Sequence, residues 1–201
     1  MAFAQSELLT EPAPAPLSVK FVIAGGFGVG KTTFVGSVSE ITPLRTEAAM
    51  TETAAGIDDL SLVKTKTTTT VAMDFGRITV AEDLLIYLFG TPGQDRFGFM
   101  WDDIVNGAMG ALVLVDTRRL DDCHPAIDYF EEREIPFVVV LNHFDTGHRP
   151  DVAAVRYALN VADEIPFVDC DARDKESVKN ALLAMLEYLL MNITGGEPAA
   201  G

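Results

Sequence analysis

A chain of 201 residues, 48% of them apolar, is long enough to bury one sizeable core, so a single folded domain is expected. Its 30 Asp and Glu against 15 Lys and Arg leave a formal net charge of −15, a field that repels nucleic acid and anionic lipid and favours protein and small-molecule partners. Two cysteines, Cys123 and Cys170, are too few for a disulfide framework or a thiolate zinc site. No apolar run approaches the roughly 20 residues of a membrane span, and neither a myristoylation nor a prenylation signal is visible, so a cytoplasmic protein with no direct membrane anchor is expected.

Residues 1–17 include EPAPAPL, whose prolines fix φ and remove donors; they read as a disordered Pro/Ala-rich tail, with the domain over 18–193 and a flexible tail over 194–201. The pattern then predicts a strand over 19–24, a Gly-rich turn and a helix over 31–39. Residues 40–69 read as one long polar connection, with room for a short helix around GIDDLSLV; connections of that length are usually functional or mobile. Strands at 70–77 and 83–89 follow, joined by too short a link for a crossover helix and therefore antiparallel. After them come a helix at 98–106, strand 111–116, helix 122–133, strand 137–142, helix 151–161, strand 166–169 and helix 175–192. Such alternation requires parallel strands and right-handed crossovers. The expected fold is α/β: three layers, α/β/α, around a six-stranded, mostly parallel sheet with one antiparallel strand.

The strongest chemical signal is GGFGVGKTT, residues 25–33, which fits Gly-x-x-x-x-Gly-Lys-Thr between an apolar strand and a helix. Small residues let backbone N–H groups face phosphate oxygens, the helix N-terminus adds partial positive charge, and Lys31 reaches the outer phosphates. Gly25, Phe27, Gly28, Val29, Gly30, Lys31, Thr32 and Thr33 therefore form the candidate phosphate-binding set, and the Thr32 hydroxyl is a candidate magnesium ligand. Phe27 sits inside the loop, where it either crowds the approach to the terminal phosphate or packs on a neighbouring loop.

The base is read elsewhere. In VVVLNHFDTG, Asn142 and Asp145 fall at the C-terminal end of a buried strand, the edge where α/β sheets place ligands. A carboxylate there accepts two hydrogen bonds from the N1–H and exocyclic amine of guanine, a donor pair that adenine lacks; the wrong base would leave a buried acceptor unpaired.

With these motifs in order, residues 19 to about 192 resemble a Ras-type small GTPase of the P-loop NTPase class. The resemblance implies GTP/GDP and Mg2+ as ligands. It places TPGQ at the second switch, with Gly93 donating its N–H to the γ-phosphate and Gln94 orienting the attacking water. It aligns TVAMDF with the first switch, making Thr70 a second magnesium and γ-phosphate contact. It also matches Asp171, Ala172 and Arg173 to the family's Ser-Ala-Lys loop, in which the Ala N–H meets the guanine oxygen. More narrowly, the stretches KFVIAGGFGVGKTTFVGSVSEITPLRTEA, TTVAMDFGRI and LFGTPGQDRF are similar to bacterial conservon-type GTPases related to MglA. That likeness implies bacterial signalling with two partners, a roadblock-domain protein acting as activator or scaffold and a membrane sensor-kinase-like protein.

Besides Asp171 and Arg173, which stand for Ser and Lys, two positions depart from the family pattern. His143 replaces the Lys whose stem lies along the base, and its imidazole either stacks there or is an ordinary loop residue. Gly90 stands where the second switch normally carries the Asp that holds magnesium through water. The ion is then expected to rely on Thr32, Thr70, phosphates and water, and turnover is expected to be slow rather than abolished. A stabilising cation is also needed, and Arg45 or Arg96, brought in by partner-driven remodelling, is the expected source. A nucleotide-binding adaptor that does not turn over is the alternative. Phe97, Phe99, Met100 and Trp101 beside the second switch read as core or as a partner-binding patch, and Arg118 and Arg119 as solvated surface.

Overall fold

The computed structural model describes residues 16–42, 44–51, 68–93, 100–144 and 151–194. In chain order the elements are β1 (Leu17–Ala24), α1 (Lys31–Val38), β2 (Leu44–Thr51), β3 (Thr68–Ala81), β4 (Leu84–Gly90), α2 (Trp101–Val105), β5 (Gly110–Val115), a 3-10 turn at Leu120–Cys123, α3 (His124–Glu132), β6 (Phe137–Asn142), α4 (Val152–Leu159), β7 (Phe167–Cys170) and α5 (Lys175–Thr194). They form one sheet in the order β2-β3-β4-β1-β5-β6-β7. The pairs β1–β4, β1–β5, β5–β6 and β6–β7 are parallel, whereas β3 is antiparallel to both β4 and β2. β3 is thus the one reversed strand in a mostly parallel α/β sheet.

All six expected strands are present, and β2 is a seventh that the sequence does not announce. LRTEAAMT lacks the β-branched alternation of a strand. It becomes one by pairing along β3 from Leu44 opposite Phe75 to Thr51 opposite Thr68. The reading of 40–69 as a single connection is corrected to that extent; the possible helix at GIDDLSLV lies outside the described residues, as do nearly all of the two expected tails. The helix expected at 98–106 is shorter, Trp101–Val105.

GALVLV and FVVVLN are buried at every position, because helices cover both faces of the parallel half of the sheet. Alternation along β1 divides the core in two. Phe21 and Ile23 face α1 and α5 through Phe34, Val35, Val178, Leu182 and Met185. Val22 and Ala24 face the other layer, with Trp101, Ile104, Ile127, Phe130 and Leu159. Trp101 is a core residue, its ring 5.0 Å from Tyr129 and 6.1 Å from Phe130. Phe97 and Phe99 lie outside the described residues.

The architecture decides where a ligand can sit. Strand β1 lies between β4 and β5; the connection leaving β1 runs to one side of the sheet, toward β2 and β3, and the one leaving β4 runs to the other, to β5, so the carboxyl ends of β1 and β4 form the switch point that opens a crevice. The segments that follow β1, β4, β5, β6 and β7 gather at that edge.

Candidate functional site

The cradle begins where β1 ends. Gly30 adopts φ 108°, and a Cβ there would fall 2.6 Å from the Asn142 side-chain nitrogen, so both backbone conformation and space require glycine. Helix α1 opens at Lys31 with no side-chain cap and no acidic residue in its first turn. Its leading N–H groups are therefore left for an external acceptor, and the helix dipole favours an anion there. Lys31 is 8% exposed and donates from Nζ to the carbonyls of Gly25 (2.7 Å) and Gly26 (2.8 Å). Burial pushes its ammonium down to about 8, against a smaller opposite pull from Asp74. Gly93 closes over this group: a Cβ on it would lie 2.6 Å from Lys31 Nζ and 3.0 Å from Phe27 Cα. The turn after β4 thus touches the phosphate loop.

Thr32 projects from the first turn of α1 and donates from Oγ1 to Asp74 Oδ2 at 2.6 Å. Asp74 comes from β3, and a Cβ on Gly90 would stand 3.1 Å from Asp74 Cβ and 3.4 Å from Oδ2. A hydroxyl beside a carboxylate is an oxygen donor set suited to a hard cation such as Mg2+. Among the described residues no three His, Cys, Asp or Glu gather to hold a metal. An ion at this point would therefore take its remaining ligands from phosphate and water.

At the other end of the crevice Asn142 closes β6, 6% exposed. Its Nδ2 donates to the carbonyl of Val29 (2.8 Å), and its Oδ1 accepts from the N–H of Ala172 (2.9 Å). One side chain thereby ties the phosphate loop to the turn after β7. The Ala172 N–H expected to meet a base is here committed to Asn142. Asp171 and Arg173 form a two-pronged pair at 2.7–2.8 Å, and the guanidinium holds the Asp171 carboxyl at about 2. His143 pairs through Nε2 with Asp169 Oδ1 at 2.9 Å, so its ring is anchored at one edge.

The rim carries cations that sequence reasoning assigned to plain surface. Asp116, buried at the end of β5, is gripped by Arg118 through Nε (2.8 Å) and Nη2 (2.7 Å), which keeps its carboxyl below the usual range. Arg119 reaches across to the carbonyl of Phe27 (3.0 Å), while Phe27 as a residue is 65% exposed. Phe27 therefore stands on the lip of the cradle, not packed beneath a neighbouring loop.

The remaining expected residues divide by position. Arg45 lies on β2, in register with Asp74. Thr70 pairs with Ala49 on β3. It lies four residues before Asp74 on the same strand. Gln94, Arg96 and Asp145 lie outside the described residues. The residue that the sequence reading missed is Asp74. Its signal is hidden: counting back from a turn at 82–83 brings 75 opposite 90, and only the irregularity between Thr79 and Ala81 shifts 74 into that place.

Comparison with known proteins agrees with a nucleotide-binding site. The chain is 33% identical over 131 residues to the protein MJ1339 of Methanocaldococcus jannaschii, spanning 64% of this chain and 72% of that one. It is 26% identical over 142 residues to the Ras-related protein RABD2b of Arabidopsis thaliana (66% of this chain, 70% of the relative). It is 25% identical over 126 residues to the GTP-binding protein ypt1 of Schizosaccharomyces pombe (58% and 62%). Distant homologues are thus Ras-like GTP-binding proteins. Over residues 23–192, a span that holds the cradle, Asp74, Asn142 and the 171–173 turn, the chain matches the family described as conserved hypothetical ATP binding protein, and it belongs to that family.

Proposed function

We propose that this protein is a GTP-binding molecular switch with slow GTP hydrolysis, acting in bacterial signalling by nucleotide-dependent partner binding. The observation that carries the reading is the cradle: an uncapped helix N-terminus, a buried Lys31 and the turn at Gly93 meet at one point, and Asn142 braces that point to the turn after β7. Lys31, at present satisfied by two loop carbonyls, would exchange them for phosphate oxygens. The first-turn amides of α1 would hold the β-phosphate, and Thr32 would face Mg2+. Gln94 is proposed to orient the attacking water, and Arg45 or Arg96 to supply the stabilising cation, since hydrolysis of this kind needs positioning and charge more than covalent chemistry. Thr70 is proposed to add a second hydroxyl contact to Mg2+ and the γ-phosphate.

The base is the point at which two readings separate. The name of the ypt1 relative speaks of GTP, and Asp145 is placed in sequence to accept the guanine donor pair; the family description speaks of ATP. We favour guanine on the Asn142-x-x-Asp145 pattern. Calorimetry with GDP, GTP, ADP and ATP in the presence of Mg2+ tests it: guanine nucleotides bind and ATP does not compete, whereas equal competition by ATP overturns the choice. Multiple-turnover phosphate release, with and without a roadblock-domain protein, distinguishes a slow GTPase from an adaptor that does not turn over. We place the protein in the cytoplasm, brought to the membrane through a sensor-kinase-like partner. Among the described residues no helix is long and apolar enough to cross a membrane.

A further inference from the structure

The phosphate loop contains a tight turn whose central peptide has two ways to face. The Val29 N–H donates to the Gly26 carbonyl at 3.4 Å, which closes a β-turn with Phe27 and Gly28 at its centre. Gly28 has φ +75°, the sign that a type II turn needs at its third position. A type I turn over the same residues differs chiefly in having the Phe27–Gly28 peptide turned over. Glycine accepts either sign of φ, so the turn itself does not choose between the two. The choice comes from outside the loop. Arg119 donates from Nη2 to the Phe27 carbonyl, the oxygen of that central peptide, at 3.0 Å. We propose that Arg119 is a positioning residue for nucleotide: by holding the Phe27 carbonyl away from the cradle, it keeps the Gly28 N–H turned toward the polyphosphate tail. The inference rests on the nucleotide-binding reading given above.

A trans peptide is planar, with its C=O and N–H on opposite sides, so fixing one end aims the other. Asn142 treats the next peptide but one in the same way: its Nδ2 holds the Val29 carbonyl and thereby sets the Gly30 N–H. Space does not explain the glycine at 28. Among the described residues a Cβ there would meet only Arg119 Nη2 within 4 Å, at 3.7 Å, so the positive φ alone calls for glycine. The guanidinium is itself held in place. Its Nε stands 3.6 Å from Asp116 Oδ2, on a carboxylate buried at the end of β5, and its Nη1 stands 3.2 Å from Asp122 Oδ2. Two carboxylates already match the charge of Arg119, so what it adds at the loop is direction more than charge.

Two plainer roles for Arg119 predict other results. A surface ion pair would change little anywhere. A cation acting on phosphate at a distance would lower affinity when removed but leave the Gly28 amide where it was. Wild type, Arg119→Ala and Arg119→Lys are compared as full chains in Mg2+. Calorimetry gives GDP and GTP affinities, and NMR on glycine-labelled protein follows the Gly28 amide, its resonance assigned by its absence from Gly28→Ala. In the wild type the Gly28 amide proton is expected to shift downfield on nucleotide binding, as a new charge-assisted hydrogen bond requires. Arg119→Ala is expected to weaken both nucleotides by about 10-fold, the worth of one such bond, and to lose most of that shift. It is expected to leave the melting temperature of the unliganded chain within about 4 °C of wild type. Arg119→Lys keeps a donor without the planar fork and is expected to fall between the two. Unchanged affinity in Arg119→Ala overturns the proposal, as does weakened affinity with the Gly28 shift intact. If Arg119→Ala does not fold, the same two readings on Arg119→Lys decide. A wild type that binds no guanine nucleotide sinks the parent reading, whereas a wild type that binds while the variant matches it sinks this one alone.

Discussion

Replacing Asn142 by Ala tests whether the site is braced as its geometry indicates. The side chain makes two bonds in a nearly closed space, to the Val29 carbonyl at 2.8 Å and from the Ala172 amide at 2.9 Å. Asn142, Val29 and Ala172 are 6%, 3% and 2% exposed, so water replaces neither partner easily. Each orphaned buried polar group costs roughly 1–3 kcal/mol. The pair therefore costs about 3 kcal/mol, a large share of the roughly 5–15 kcal/mol by which such domains are stable. For a chain of this length each kcal/mol moves Tm by roughly 2–4 °C, which gives a fall of about 6–12 °C. Thermal and urea unfolding followed by Trp101 fluorescence reads the loss directly. Asn142→Asp sharpens the test: it keeps the acceptor for Ala172 but sets a carboxylate oxygen against the Val29 carbonyl, so it should be destabilised by a comparable amount despite its equal size. If Asn142→Ala costs less than about 0.5 kcal/mol, both partners find other bonds and the brace does not exist as argued.

Lys31 gives a pH signature. Its folded value of about 8 lies below the ordinary 10.5 because burial disfavours the ammonium, so between those limits the unfolded chain holds more protons and the stability of the unliganded protein rises with pH. A bound polyphosphate restores the charge, and nucleotide binding near pH 9 should take up most of a proton; calorimetry in two buffers of different ionisation heat measures this, and no uptake refutes the assignment. Gly93→Ala puts a methyl within 2.6 Å of Lys31 Nζ and should weaken nucleotide binding by about tenfold or more while moving stability by no more than about 1 kcal/mol, read by titration beside a melt. Cys123 and Cys170 are buried, which pushes their thiols up to about 12 and about 11. Iodoacetamide at pH 8 should therefore label both at least about 100-fold more slowly in the native protein than in denaturant, as counted by mass spectrometry.

How much of this was legible beforehand depends on which force sets each element. The strands β5 and β6 are wholly buried between helices, so their apolar runs carry the signal themselves, and so does the turn from β1 into α1. β2 is different. Arg45, Glu47 and Ala49 have no strand preference of their own, and they become a strand because β3 offers an unpaired edge. Arg118 and Arg119 read as solvated surface for a similar reason: their partners, Asp116 and the Phe27 carbonyl, are fixed only once the segments after β1 and β5 meet at the sheet edge.

The site follows the same division, with one instructive exception. Lys31, Thr32 and Asn142 are recognisable from spacing because each is held by a continuous piece of chain that enters and leaves the crevice. The carboxylate facing Thr32 is not bound to any one piece. What the chemistry requires is an oxygen at a point in space, and two antiparallel strands run past that point within a side chain's reach of it. A motif written along one strand therefore records where the charge is usually tethered, not the charge itself. Gly90 read alone suggests a damaged metal site; Gly90 read against the strand beside it suggests that the glycine is needed, because Asp74 Cβ would stand 3.1 Å from any side chain placed there. The same crowding bears on Gly90→Asp made alone. Two carboxylates would then share one pocket, and without a metal between them their repulsion should make this variant less stable than the wild type, the deficit shrinking as Mg2+ and nucleotide are added. Urea unfolding with and without both ligands measures that difference, and a variant as stable as the wild type in EDTA would show that positions 74 and 90 do not compete.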